Sequence, residues 1–402
     1  MPDTGVVAVF LLVYLGMFLG ELPGLKLDRT GVALLGAVVL LGTGTVTLDE
    51  AAAAIDVPTM AILFAFMVIS AQLRLGGFFG WTAGRLAGWA VGPSAVLAGV
   101  IAVVAALAAV FSNDVVCLAV GPVLLDACRR RGLSPVPYLL ALACAANIGS
   151  AATLIGNPQN ILVGEALRLD FGTYLATAAL PTLAGLVITW GVVRAAFPLA
   201  VAAEPVPGAA VHEPFDAWQS AKGLAVALAL LAVFLLTDWP REVAALAGAG
   251  VLLASRRVAS RDMLGQVDWQ LLVLFAGLFV VNASLQATPA PAAAVAWLQG
   301  LGVDVAAPGW FFAVTVVLSN LVSNVPAVML LLPVATFDTA GPVLAVASTL
   351  AGNLLIVGSI ANIIVVENAR RAGVTIDWRT HARVGLPVGL VSLAIAAGLL
   401  VR

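Results

Sequence analysis

Lysine is nearly absent from this chain, with Lys26 and Lys222 the only two, and histidine occurs only as His212 and His381. A basic nucleic-acid face cannot be assembled from so little lysine, and a formal net charge of −2 gives no reason to look for one. Charged residues make up 10% of the 402, against about 25% in a soluble domain. The three cysteines, Cys117, Cys128 and Cys144, show no CxxC spacing and sit in or beside apolar runs. They read as small buried residues, and their placement argues against a disulfide framework. Both histidines fall in predicted loops, which excludes a bis-histidine haem within the membrane. No GxxxxGK[ST] occurs, so there is no ATP site of the P-loop kind, and any transport must run on ion gradients. No lysine or arginine precedes the first apolar run, so it lacks the positive region of a cleaved signal peptide. Val6–Leu19 reads as a retained transmembrane helix.

What the chain has instead is apolar surface. Hydrophobic residues make up 62% of it, and the mean hydropathy is +1.09. No water-soluble core needs so much, so lipid is the solvent. Reading in units of about 20 apolar residues gives spans near 5–20, 31–48, 58–76, 136–164 and 172–198. A second set lies near 218–237, 241–254, 268–286, 341–367 and 380–401. Two further apolar stretches, 93–128 and 308–336, are broken near their middles by Ser112-Asn113-Asp114 and Ser323-Asn324. Each reads as a re-entrant hairpin of two half-helices.

The arginines test this topology. With the N-terminus outside and ten alternating spans, all but Arg168, Arg241 and Arg402 of the 19 lysines and arginines fall in cytoplasmic loops. That agrees with the positive-inside rule, and only if neither hairpin crosses, since a crossing would switch every later loop. The expected architecture is therefore an all-α polytopic protein of an inner, cytoplasmic membrane of bacterial type, with both termini outside and a cytoplasmic linker over 199–217.

The two halves, 1–198 and 218–402, match each other. Arg29-Thr-Gly-Val-Ala parallels Arg241-Glu-Val-Ala-Ala, and Ile62-Leu-Phe-Ala parallels Val273-Leu-Phe-Ala. Ser112-Asn113 parallels Ser323-Asn324, Gly156-Asn157 parallels Gly358-Ser359, and Asn160 parallels Asn362. The offset is about 211 residues early and about 202 late. Each unit has five spans and one hairpin, and an odd number of spans inserts the second copy upside down. Inverted repeats interrupted at corresponding positions are the sequence pointer to a transporter and its site. The broken helices are expected at 136–168 and 341–371.

Four polar interruptions fall at mid-membrane depth: Ser112-Asn113-Asp114, Gly156-Asn157-Pro158-Gln159-Asn160, Ser323-Asn324, and Gly358-Ser359-Ile360-Ala361-Asn362. Irregular backbone at that depth survives only inside protein or beside water. Ser and Asn are good N-caps, and Asn157 followed by Pro158 is a cap followed by a first-turn proline. Four half-helix N-termini would bring free N–H groups together. Freed carbonyls with Ser and Asn oxygens form a candidate ligand set for sodium, one ion at Ser112, Asn113 and Gly156 and another at Ser323, Asn324 and Gly358. Kinks filled by internal hydrogen bonds are the plainer alternative.

Asp114 stands out, because a carboxylate at bilayer depth is penalised by about 2.5–3.5 kcal/mol on insertion scales. It must hold a proton, pair with a cation or line water. Its repeat partner is Val325, and no Lys or Arg stands at comparable depth to neutralise it. It is the candidate proton carrier; capping the following half-helix is the simpler role. Asp56, Asp268, Glu165 and Glu367 lie near span ends, where capping or exposure accounts for them.

These motifs resemble the ion transporter superfamily, which includes arsenite permeases, divalent-anion/sodium symporters, citrate permeases and some sodium/proton antiporters. The carrying residues are Ser112-Asn113-Asp114, the run from Asn147 to Asn160, Ser323-Asn324-Val-Pro326 and Gly358-Ser-Ile-Ala-Asn362. The Asn147–Asn160 run looks most like the arsenite-permease and melanosomal P-protein branch. The resemblance implies a homodimer whose protomers divide into a scaffold and a transport domain moving as an elevator. Where the dicarboxylate symporters carry Thr after Ser-Asn at the hairpin tips, this chain has Asp114 and Val325. An ionised Asp repels a dianion at close range, whereas the neutral acid of arsenite suits a carboxylate. Cys117 and Cys144 stand close enough in sequence to offer thiols to arsenic. The expected function is proton- or sodium-coupled secondary transport of a small anion or its neutral acid. A sodium/proton antiporter, a sodium-coupled dicarboxylate or citrate symporter and a passive channel are the alternatives. Enzyme chemistry has no metal cluster or nucleophile–base pair to rest on.

Overall fold

The structure is a computed structural model that describes residues 3–20, 26–89, 91–199 and 214–401. His212 and all but the ends of the expected linker lie outside the described residues. Helices α1 (Asp3–Leu19), α2 (Arg29–Gly42), α3 (Leu48–Ala54), α4 (Val57–Leu75) and α5 (Phe78–Ala87) come first. Next are α6 (Pro93–Phe111), α7 (Asn113–Arg130), α8 (Pro135–Ser150), α9 (Pro158–Ala166) and α10 (Phe171–Ala196). The later half has α11 (Ala217–Leu236), α12 (Arg241–Leu253), α13 (Ser260–Leu264), α14 (Trp269–Gln286) and α15 (Ala290–Gly300). It closes with α16 (Pro308–Val322), α17 (Asn324–Leu331), α18 (Ala340–Ala351), α19 (Ile360–Arg371) and α20 (Trp378–Leu400).

Six of the 21 acidic residues mark helix starts. Asp28, Asp56, Asp170, Asp216, Asp268 and Asp377 each precede a helix and accept from an amide of its first turn, as Asp268 does from Leu271 at 3.0 Å. This satisfies donors that a helix leaves open. Prolines open α6, α8, α9 and α16, where a missing N–H does no harm.

Among the described residues six helices, α4, α6, α10, α11, α14 and α20, are long and apolar enough to cross a membrane. The span expected at 241–254 is a helix of 13 residues. The short helices α3, α5, α13 and α15 have no counterpart in the sequence reading, because each carries too few apolar residues to register as a span. His381, expected in a loop, lies in the first turn of α20 and is 2% exposed, its Nε2 3.1 Å from the Asn353 carbonyl. The apolar span expected at 380–401 already reached this position, and the Asp377 cap starts the helix two residues ahead of that span, at Trp378.

Packing is paired across the halves. α2 lies on α14 and α4 on α12; α6 lies on α8 and α16 on α18; α10 lies on α20. At the α6–α8 crossing a Cβ on Gly149 would come 2.4 Å from Ala105 Cα, so only glycine lets the two backbones approach.

Candidate functional site

Each of the four stretches expected to be interrupted consists of two helices, α6–α7, α8–α9, α16–α17 and α18–α19. Ser112 joins α6 to α7 with φ 67° and ψ 135°, and Ser323 joins α16 to α17 with φ 75° and ψ 160°. A non-glycine residue held in or beside that nearly glycine-only region costs on the order of 1–3 kcal/mol and persists only where its surroundings dictate it. Neither serine caps the helix after it, and Ser359 does not cap α19; of the four expected caps only Asn157 acts with its side chain, its Oδ1 accepting from the Asn160 N–H at 2.9 Å. Pro158 follows it at the first position of α9.

The breaks meet one another. The Asn113 N–H donates to the Gly156 carbonyl at 3.3 Å, fixing the α6–α7 junction, the first tip, against the α8–α9 break. A Cβ on Gly156 would stand 2.2 Å from the Ser150 carbonyl oxygen, so the break itself requires glycine. At the second hairpin Asn320, one turn before Ser323, donates to the Ala351 carbonyl at 3.2 Å. Its Oδ1 stands where a Cβ on Gly358 would be only 2.9 Å away.

A network of amides and hydroxyls joins the two breaks. Asn147 is 1% exposed; its Nδ2 donates to Asn353 Oδ1 at 2.9 Å and to Asn362 Oδ1 at 3.1 Å. Its Oδ1 accepts from Asn113 Nδ2 at 2.9 Å and from Ser359 Oγ at 2.8 Å. Thr349, which stands where Asn147 does in the register of the other half, mirrors this arrangement. Its hydroxyl accepts from Asn157 Nδ2 at 3.1 Å and donates to Asn160 Oδ1 at 3.3 Å. The matched asparagines close their own breaks alike. Asn160 Nδ2 donates to the carbonyls of Ser150 and Thr153, and Asn362 Nδ2 to those of Gly352 and Leu355.

Beside the first tip is a cavity of about 80 Å³, lined on its polar side by Ser70, Ser112, Asp114, Asn157 and, toward its exposed end, Arg74 and Asp268. Asp114 Oδ1 is buried with no hydrogen-bond partner. Two carboxylates therefore face one small space, one deep and one near its mouth. Cys117 and Cys144 are buried in packing and line no part of this cavity, so they offer it no thiol.

Of the residues singled out from sequence, Ser112, Asn113, Asp114, Gly156, Asn157, Pro158 and Asn160 gather at this cavity or the adjoining break. Ser323, Asn324, Gly358, Ser359 and Asn362 gather at the second tip and break. Glu165 is not a site residue: it pairs with Arg241 at 3.1 Å. Glu367 likewise pairs with Arg370 and Arg371. Sequence reasoning missed Thr349, Asn320 and Asn353. The late repeat offset carried Asn147 onto Thr349 and so held the signal for it; Asn353 aligns with Ala151 and left none.

Apolar helices able to cross a lipid bilayer, broken and interlocked at a polar centre, define a multi-pass membrane transporter. The chain belongs to the citrate transporter family, whose pattern it matches over residues 10–342, within the ion transporter superfamily that the motifs resembled. It is 30% identical to a silicon efflux transporter of Oryza sativa subsp. japonica, over 94% of each chain. It is 29% identical to an uncharacterized transporter of Mycobacterium tuberculosis, over 92% of this chain and 93% of that one. The fold is similar to that of the YdaH transporter of Alcanivorax borkumensis, with TM-score 0.56 at 16% identity over 100% of this chain and 97% of that one. Family and relatives are transporters, not enzymes.

Proposed function

We propose that the chain is a secondary active transporter that moves a small uncharged oxyacid, of the arsenous or silicic kind, in exchange for protons carried by Asp114. The observation that carries this reading is the unpartnered buried Oδ1 of Asp114, a residue that lines the same cavity as Asp268. Two carboxylates lining one small cavity repel a citrate or dicarboxylate anion. A space of about 80 Å³ has room for a few waters or a cargo of that size. A neutral acid with several hydroxyls meets acceptors at Asp114 and Ser112 and pays no charge penalty. The silicon efflux relative supports the same class of cargo.

The mechanism we propose uses two inverted repeats, 1–198 and 218–402, each with a re-entrant hairpin (93–128 and 308–336) and a broken helix (136–168 and 341–371). Support comes from the paired contacts of α2 with α14 and α4 with α12, and from the reciprocal Asn147 and Thr349 bonds. The hairpins and broken helices would move together as an elevator against a scaffold, within a homodimer. The arginine distribution favours both termini outside and the 199–217 linker in the cytoplasm, so the cavity end bearing Arg74 and Asp268 would face inward.

Sodium is the second candidate for coupling. Asn113 Oδ1 and Asn324 Oδ1 are buried oxygens without a donor, at matched positions, and hard cations take oxygen ligands of this kind. Ser112, Asn113 and Gly156 would hold one ion and Ser323, Asn324 and Gly358 another; a bound sodium supplies only positive charge there.

The test is internal pH in proteoliposomes, read with a trapped dye as arsenite, silicic acid, citrate, succinate and sodium are added singly. A pH change that requires an uncharged oxyacid supports the reading. A response to citrate or succinate alone, or to sodium alone, overturns it in favour of a symporter or an antiporter.

A further inference from the structure

A second cavity, of about 290 Å³, lies between α4, α5, α7 and α19 and shares Arg74 with the first. Its walls are Arg74, Phe79, Pro122, Asn368 and Arg371, with the aliphatic Leu118 and Val123. Asn368 forms part of that wall, and its side-chain Nδ2 is buried against Gly121 with no hydrogen-bond acceptor. A buried amide donor without a partner costs on the order of 1–3 kcal/mol, so a site that retains one has a reason to.

Arg74 and Arg371 are the charged residues lining the space, and the nearest ion pairs stand beside it. Glu367 gives one oxygen to Arg370 Nε at 2.8 Å and the other to both Arg370 Nη2 at 2.9 Å and Arg371 Nε at 2.8 Å. One carboxylate thus serves two guanidiniums, and Arg74 adds a third cation. An excess of donors and positive charge converges on a partly enclosed space large enough for a hydrated tetrahedral anion. Guanidinium pairs recognise phosphate through forked, charge-assisted bonds.

We infer that Arg74, Asn368 and Arg371 form a binding site for a phosphate group, at the seam between α4–α5 and α7–α19. A bound anion ties the α4 end to the hairpin-side helices, and so sets how readily the two part. Free phosphate and the headgroup of an anionic lipid share this chemistry, and the arginine-rich rim suits either.

The test uses the full-length protein in detergent and in nanodiscs. Thermal unfolding is followed with inorganic phosphate added, and separately with phosphatidylglycerol replacing phosphatidylcholine. Stabilisation by inorganic phosphate assigns a soluble anion; stabilisation by phosphatidylglycerol alone assigns a lipid headgroup. In either arm Arg74→Gln and Arg371→Gln should weaken the apparent affinity by about tenfold or more, and Asn368→Leu by a smaller factor, with each variant monodisperse and folded. Chloride at matched ionic strength should not substitute. No stabilisation in either arm, or equal stabilisation of wild type and all three variants, overturns the inference. Arg74 also lines the first cavity, so Arg371→Gln and Asn368→Leu, at residues outside it, are the variants that separate this inference from the transport reading.

Discussion

The amide of Asn147 on α8 donates to the Oδ1 of Asn362 on α19 across 3.1 Å, binding the broken helix of one half to that of the other. Removing it strands several buried partners at once. Asn147→Leu should destabilise the fold by about 2 kcal/mol or more, since each orphaned buried group costs about 1–3 kcal/mol, and should abolish transport. Thr349→Val removes the reciprocal bonds to Asn157, Gln159 and Asn160 and should also destabilise, though by less. Thermal unfolding in detergent measures both. A wild-type melting point for Asn147→Leu would deny the network its structural role.

Asp114→Asn keeps the shape and loses the titratable group. Transport should lose its pH dependence and slow by about tenfold or more, equivalent to about 1.4 kcal/mol in the barrier. Asp268→Asn preserves the α14 cap, because Asn caps as well as Asp, and should keep proton coupling. Proteoliposome uptake at several pH values separates the two; retained pH dependence in Asp114→Asn would reassign the coupling.

Gly156→Ala places a methyl 2.2 Å from the Ser150 carbonyl oxygen, against rigid backbone. A shift of the break is forced, and overpacking of this kind costs about 1–3 kcal/mol. Gly250→Ala meets nothing within 4 Å and serves as the control, with a change within about 0.5 kcal/mol. Parallel melts of the two proteins decide the matter, and a Gly156→Ala protein as stable as the control would contradict the close contact.

Ser323→Gly relieves a backbone at φ 75° and ψ 160° that glycine adopts freely. The fold should gain about 1 kcal/mol while transport falls, because the hydroxyl at the tip is lost. A variant that is both destabilised and fully active would contradict each half of that expectation.

How much of this was legible in the sequence differs by residue. Asn157-Pro158 announced its own cap, and the Ser-Asn pairs announced where α6 and α16 end, because polar residues in an apolar run have few other uses. Helices α5 and α15 left no such mark, being short segments fitted between longer ones. The bonds from Asn147 and Thr349 were hidden for a different reason. They join residues about 200 positions apart, and only the repeat register, followed to a threonine that does not resemble its asparagine counterpart, points to them. His381 was misplaced because its polarity argued for a loop, while a carbonyl freed at the Asn353 turn gave it a buried partner.

The centre of the protein is wired with amides and hydroxyls, which carry no net charge, and Asp114 is the carboxylate set among them. An electric field across the bilayer does work only on charge, about 2.3 kcal/mol for one unit moved through 100 mV. In the proposed elevator the neutral wiring would pass through that field without resistance, and voltage would address the moving part through the protonation of Asp114 and whatever ion travels with it. Exchange of a proton on Asp114 for an uncharged acid would therefore move charge on one leg of the cycle alone, and membrane potential would set the pace of that leg.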